Sequence, residues 1–190
     1  MNFLAHALLA YPDEELLIGN FIADAVKGNP ADRYSPAIVK GIVMHRAIDA
    51  YTDNHPIVLQ GIQRLRPRYS KYAGVLIDIY FDHFLAKNWS QFHPQPLREF
   101  TQDLYNLMNR RLDQLPAKTQ EMLPYMVKYD WLTNYQHVEG IQKVLTGMSK
   151  RTKFVSNLET GAEELVKNYE TFQDEFLQFF PQIKQQFLTP

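Results

Sequence analysis

The sequence predicts an all-α protein that forms a single compact multi-helix domain over residues 1–190. Apolar residues recur three and four positions apart through most of the chain, which is the period of a helix with one buried face. Helix punctuation recurs as well: Ser35-Pro36 is typical of a helix start, and Lys27-Gly28-Asn29-Pro30 is typical of a helix end. A chain of 190 residues with 45% hydrophobic content is long enough for one substantial core.

About seven to nine helices are expected from these signals. Asn2 is a suitable cap for the first helix, Pro124 is expected to break or shift a later one, and Pro181 is expected to kink the last. Segment 72–89 is almost continuously apolar, and its length favours a buried helix over a strand. The predicted helical segments are 2–9, 14–26, 36–53, 56–67, 72–89, 96–115, 122–132, 137–150 and 158–187.

Segment 36–53 is expected to be a central helix, because apolar residues cover much of its circumference. His45, Asp49 and Asp53 follow one another at intervals of four and therefore project from nearly one stripe. Unpaired burial of such groups is costly, and a metal ion would supply the missing partner. For Asp53 a simpler interpretation is favoured, in which it caps the helix that starts near Pro56.

Composition excludes several classes of site and partner. The formal net charge of −1 gives no general attraction for nucleic acid or for an anionic membrane. The absence of cysteine excludes disulfides, thiolate nucleophiles and cysteine-bound zinc. No apolar run is long enough to span a bilayer, and the start of the chain lacks a basic secretory leader, so a soluble cytoplasmic protein is expected.

Polar residues interrupt the apolar segments at four places in the first half of the chain. Each has a simple structural explanation: His6 as a core histidine, Asp24 as a partner of Lys27, and Asp78 or Asp82 as a partner of Arg46. Taken together they suggest an oxygen and imidazole site for manganese, magnesium, iron or zinc. The residues concerned are His6, Asp24, His45 with Arg46 and Asp49, and Asp78 with Asp82 and His83.

Four ordered motifs resemble the acyl carrier protein phosphodiesterase family, which is regarded as a divergent branch of the HD-domain metal-dependent phosphohydrolases. They are Met1-Asn2-Phe3-Leu4-Ala5-His6, Gly19-Asn20-Phe21-Ile22-Ala23-Asp24, His45-Arg46-Ala47-Ile48-Asp49, and Asp78-Ile79-Tyr80-Phe81-Asp82-His83-Phe84-Leu85. The resemblance implies a distorted HD-like helical domain. It also implies hydrolysis, with Mn²⁺ or a similar cation, of the phosphodiester that joins 4′-phosphopantetheine to a serine of holo-acyl carrier protein. The His-Asp doublet of ordinary HD proteins is reversed here, as Asp82-His83.

On this hypothesis the metal ligands come from His6, Asp24, His45, Asp82 and His83. Asp49 or Asp78 would orient the attacking water or hold a ligand imidazole by its other nitrogen, and Arg46 would neutralise phosphate oxygens. Two alternatives stay open. One is hydrolysis of a nucleotide or small phosphodiester on the same scaffold. The other is a non-enzymatic binding module with a buried salt-bridge network of Arg46, Asp49, Asp78 and Asp82.

Overall fold

The computed structural model describes residues 1–188, so the last two residues of the predicted domain lie outside the described part. Within residues 1–188 the protein is a single helical domain with eleven α-helices, several short 3₁₀ turns and no strand. The helices are α1 (Phe3–Ala10), α2 (Glu14–Ile22), α3 (Pro36–Asn54), α4 (Pro56–Tyr69), α5 (Ala73–Lys87), α6 (Leu97–Arg110), α7 (Ala117–Lys128), α8 (Trp131–Asn134), α9 (Val138–Ser149), α10 (Gly161–Lys167) and α11 (Tyr169–Phe187).

Helix starts follow the predicted caps. The side chain of Asn2 accepts from the backbone N–H of Phe3, and the hydroxyl of Ser35 accepts from the N–H of Ile38. The cap of α4 differs from the prediction, because His55 and not Asp53 accepts from the first turn of that helix. Asp53 is instead an exposed residue of α3.

The expected number of helices was too low, because two predicted segments each contain two helices. Segment 122–132 divides into α7 and α8 at Asp130, whose φ of 43° lies in the left-handed region. Segment 158–187 divides into α10 and α11 at Asn168. No break occurs at Pro124, because α7 continues through it. Pro181 lies inside α11, the helix in which a kink was expected.

Helix α5 is more deeply buried than α3, the helix that was expected to be central. Eleven of the fifteen residues of α5 are buried, and it packs against α1, α4, α9 and α11. Helix α3 buries one face through Ile38, Ile42 and Ile48, while Val43 on its other side is 55% exposed. Some apolar residues of α3 therefore lie outside its buried face.

Two glycines bring α2 and α3 into backbone contact. A Cβ on Gly19 would lie 2.1 Å from the carbonyl oxygen of Ile38, and one on Gly41 would lie 2.5 Å from that of Leu16. Only glycine fits at such a crossing. No helix within residues 1–188 is both long enough and apolar enough to cross a membrane.

Candidate metal centre

Four elements place polar side chains at one point beside the α2–α3 contact. His6 comes from α1, Asn20 from α2, and Asp24 from the 3₁₀ turn that follows α2. His45 and Asp49 lie one turn apart on α3. The close approach of α2 to α3 allows Asn20 and Asp24 to reach His45.

Asn20 forms hydrogen bonds with the Nδ1 atom of each of the two imidazoles, His6 and His45. His45 Nδ1 lies 2.9 Å from the backbone carbonyl oxygen of Asn20 and 3.2 Å from its Oδ1, and His6 Nδ1 lies 2.7 Å from that Oδ1. A carbonyl oxygen only accepts, so His45 Nδ1 carries a proton, and the side-chain atom facing it must be the amide oxygen. The same oxygen then requires a proton on His6 Nδ1.

Both Nε2 atoms consequently face carboxylates. His6 Nε2 lies 3.1 Å from Asp49 Oδ1, and His45 Nε2 lies 3.0 Å from Asp49 Oδ2 and 3.2 Å from Asp24 Oδ1. The two imidazole rings are stacked with their centroids 4.0 Å apart. Donor atoms of His6, His45 and Asp49 all lie within 4.8 Å of one another, the one such group of three among residues 1–188.

The two histidines of this cluster differ in pKa, and therefore in charge. Burial lowers the pKa of His6 to about 4, against the opposing effect of Asp49. Burial also lowers the pKa of His45, but its hydrogen bonds to Asp24 and Asp49 outweigh that effect and raise it to about 9. Burial raises the pKa of Asp49, yet the hydrogen bond from His45 holds it well below its usual range.

The residues of this cluster fit a divalent cation. A neutral His6 with its proton on Nδ1 presents a lone pair at Nε2, and that lone pair faces the carboxylate of Asp49 with no proton between them. A cation at this position would bind both atoms, and imidazole nitrogen with carboxylate oxygen suits manganese, iron or zinc.

Asp78 and Asp82 do not join this cluster, because the N-terminal segment engages their oxygens. Asp78 Oδ1 accepts from the amino group of Met1 at 2.7 Å. The fully buried carboxylate of Asp82 accepts from the backbone N–H groups of Asn2, Leu4 and Ala5 at 2.8 to 3.3 Å. Asp82 thus satisfies the free donors at the start of α1, the helix that carries His6.

His83 also lies apart from the cluster, with both ring nitrogens engaged. Its Nδ1 donates to the carbonyl oxygen of Tyr135 at 2.7 Å, and its Nε2 accepts from the hydroxyl of Tyr169 at 2.9 Å. The ring is fully buried. His83 therefore has neither a free nitrogen nor the open side that a catalytic metal site requires.

Arg46 is exposed on α3 next to His45, and no carboxylate among residues 1–188 pairs with it. The salt-bridge network expected for a binding module, which linked Arg46 to Asp49, Asp78 and Asp82, is therefore not formed. Each of the three carboxylates has a different partner, as described above. This finding removes the structural basis of that alternative.

Asn20 is the residue that sequence reasoning missed. The imidazoles are held by Asn20 at their other nitrogen, and not by Asp49 or Asp78. A signal was present, because Asn20 is an amide in an otherwise apolar stretch and lies one helical turn before Asp24.

Comparison with known proteins decides the family. The family model described as acyl carrier protein phosphodiesterase matches residues 1–183. The chain belongs to this family. Curated proteins named acyl carrier protein phosphodiesterase are similar to this chain over nearly their full length. Those of Serratia proteamaculans (strain 568) and Escherichia coli O45:K1 are each 37% identical over 187 residues, which cover 98% of this chain and 97% of the relative.

The acyl carrier protein phosphodiesterase of Enterobacter sp. (strain 638) is 36% identical over 184 residues, or 96% of this chain and 95% of the relative. No solved structure matches the chain significantly. Membership of the acyl carrier protein phosphodiesterase family confirms the resemblance found in the motifs. The match extends well past those motifs, into α11.

Proposed function

We propose that this protein hydrolyses the phosphodiester between 4′-phosphopantetheine and a serine of holo-acyl carrier protein, giving the apo carrier and free 4′-phosphopantetheine. Family membership over residues 1–183 supports the substrate. The observation that carries the chemistry is the convergence of two imidazole Nε2 atoms on the carboxylate of Asp49. We place the reaction in the cytoplasm, as the sequence predicted.

We assign the metal ligands to His6, His45 and Asp49, with Asp24 completing the set. Asp24 is 82% exposed at its side chain and Asp49 is 38% exposed, so the cluster is open to solvent on the carboxylate side. A divalent ion held there, Mn²⁺ by the family resemblance, would act as a Lewis acid and would lower the pKa of water for attack on phosphorus. Asp82 and His83 are left out of this set because their polar atoms are engaged elsewhere.

The chain's own residues supply orientation and charge. Asn20 keeps both imidazoles in the tautomer that directs Nε2 toward the carboxylates. Arg46 is exposed beside His45 on α3, and its guanidinium suits the non-bridging oxygens of a phosphodiester. Asp49 stays ionised because its pKa is low, and its partly exposed carboxylate would also orient a water on the open side of the cluster.

The test is conversion of holo-carrier to apo-carrier, followed by intact-protein mass spectrometry. We expect chelated enzyme to be inactive and Mn²⁺ to restore it, with Mg²⁺, Fe²⁺ and Zn²⁺ compared in parallel. His45→Ala and Asp49→Asn should each lower kcat/KM by more than about 100-fold, because each removes a ligand. Asp53→Asn is the matched control, since it removes an exposed carboxylate one turn further along α3.

Two outcomes would contradict the proposal. Full activity of the metal-stripped enzyme would exclude the metal role. Faster turnover of nucleotides or of small phosphodiesters than of holo-carrier would favour the alternative hydrolase, because a helical metal site does not by itself select a substrate.

A further inference from the structure

A groove between α8 and α9 is separate from the candidate metal centre. Its volume is about 410 Å³, within the range of small-molecule pockets. None of the cluster residues lines it. The lining residues are Tyr129, Trp131, Asn134, Gly140, Lys143, Val144, Gly147 and Arg151.

The interior of this groove is apolar. Gly140, Val144 and Gly147 lie four and three residues apart and so form one face of α9. The rings of Tyr129, which is 57% exposed, and of half-buried Trp131 contribute aromatic surface. A Cβ on Gly147 would have no atom within 4 Å, so this glycine leaves space that a larger side chain would fill.

Two cations border the groove without a counter-charge. Lys143 and Arg151 lie eight residues apart, either side of Gly147 on one stripe that runs past the end of α9. No ion pair or side-chain hydrogen bond engages either of them within residues 1–188, and no carboxylate lines the groove.

We propose that the α8–α9 groove binds a small anionic amphiphile, a molecule with one carboxylate or phosphate group on a short apolar body. Lys143 and Arg151 receive the anion, and the aromatic rings with Val144 receive the apolar body. The small, concave volume favours a small ligand over a protein helix, whose diameter of about 10 Å needs a longer and flatter groove.

Trp131 reports on binding in the intact protein. The chain has two tryptophans, and Trp89 is buried with only 4% exposure, so a ligand-induced change in emission arises mainly at Trp131. Octanoate and octyl phosphate below their micelle concentrations are the anionic probes, and octyl glucoside is the neutral control. We expect saturable changes with both anions and much weaker ones with the glucoside. Calorimetry on Trp131→Phe checks that binding persists without the reporter.

A Cβ at Gly147 meets no atom within 4 Å, so Gly147→Leu should occupy part of the groove and weaken binding of both anions at least about tenfold. Lys143→Ala should weaken it by a similar factor, because a charged contact is lost. Lys118→Ala removes an equal charge from an exposed site on α7 outside the groove and should leave the affinity unchanged. Circular dichroism verifies that each variant is folded.

Absence of saturable binding would overturn the proposal, and so would equal affinity in wild type and Gly147→Leu. If the amphiphiles do not bind but Gly147→Leu slows turnover of holo-carrier, the groove belongs to the protein substrate and the proposal is wrong. Loss of the metal-dependent activity in His45→Ala with normal amphiphile binding would separate this site from the proposed reaction.

Discussion

Asn20 determines which atoms of two histidines are available for chemistry. Its backbone carbonyl and its side-chain oxygen together receive both Nδ1 protons, so both Nε2 atoms point at carboxylates. One residue thereby fixes the tautomer and the ring orientation of two imidazoles from different helices, both of them proposed metal ligands. Such partners of metal-binding imidazoles commonly contribute about 10- to 100-fold to metal affinity or activity.

Replacing Asn20 with alanine should weaken Mn²⁺ binding by about 10- to 100-fold. His6 loses its only Nδ1 partner in this variant, whereas His45 keeps the backbone carbonyl, so His6 should lose its fixed tautomer. Calorimetric titration of the metal-stripped protein measures the affinity, and imidazole ¹⁵N chemical shifts report the tautomers.

Asn106→Ala, which removes an exposed amide from α6, is the control and should bind Mn²⁺ as wild type does. Unchanged affinity in Asn20→Ala would show that packing alone orients the imidazoles. The tautomer signals would still distinguish an altered His6 from a generally loosened protein.

The same sequence signal marked residues with quite different partners. His6, Asp24, His45 and Asp82 all interrupt apolar segments, and three of them converge on one cluster. Asp82 instead binds the backbone N–H groups that open α1. A polar residue in an apolar helix shows that a partner exists, but a sequence does not reveal whether the partner is an ion or the end of another helix.

At the scale of secondary-structure elements, the candidate metal centre depends on the contact between α2 and α3. Asn20 and Asp24 lie on one side of this contact, and His45 and Asp49 lie on the other. Gly19 and Gly41 set the separation of the two helices, because each faces the backbone of the opposite helix. Small residues in segment 14–26 indicated a close neighbour, but the sequence does not identify which helix provides it.

Gly19→Ala should destabilise the protein by roughly 1–3 kcal/mol or more and should weaken Mn²⁺ binding at the same time. The new Cβ would meet the carbonyl oxygen of Ile38 and the backbone of Gly41, so α2 and α3 must separate. Thermal and urea unfolding measure the stability, and calorimetry measures the affinity.

Gly147→Ala is the matched control, because its Cβ would enter open space on α9. This change should stabilise the protein slightly, by up to about 1 kcal/mol, since alanine favours helix over glycine. A Gly19→Ala protein with wild-type stability and metal affinity would show that the α2–α3 separation does not control the cluster.

Over the whole molecule, α5 joins parts of the chain that are distant in sequence. Asp82 binds the start of α1, while His83 binds Tyr135 after α8 and Tyr169 at the start of α11. The buried character of this helix was predicted from its continuous apolar sequence. Its use of two polar residues as structural connectors was not, because their partners lie between 52 and 86 residues away.

The burial of His83 predicts how the stability of the whole fold responds to acid. Burial lowers the pKa of His83 to about 4 from its usual 6.5. Between these two values the unfolded chain takes up a proton at this position and the folded protein does not. The free energy of unfolding should therefore fall as the pH falls from 6.5 toward 4, by about 1 to 2 kcal/mol between pH 7 and pH 5 from this residue alone.

The comparison of wild type with His83→Asn isolates this contribution. Asparagine places a donor near the position of Nδ1 and does not titrate, so the variant keeps the hydrogen bond to Tyr135 and loses the one to Tyr169. It should be less stable than wild type at pH 7 and should lose less stability on acidification. Urea unfolding at pH 7, 6 and 5 in the presence of a chelator measures both quantities, since the other buried histidines contribute equally to the two proteins. Parallel pH profiles for the two proteins would show that His83 has the same pKa in the folded and the unfolded protein, and would contradict this prediction.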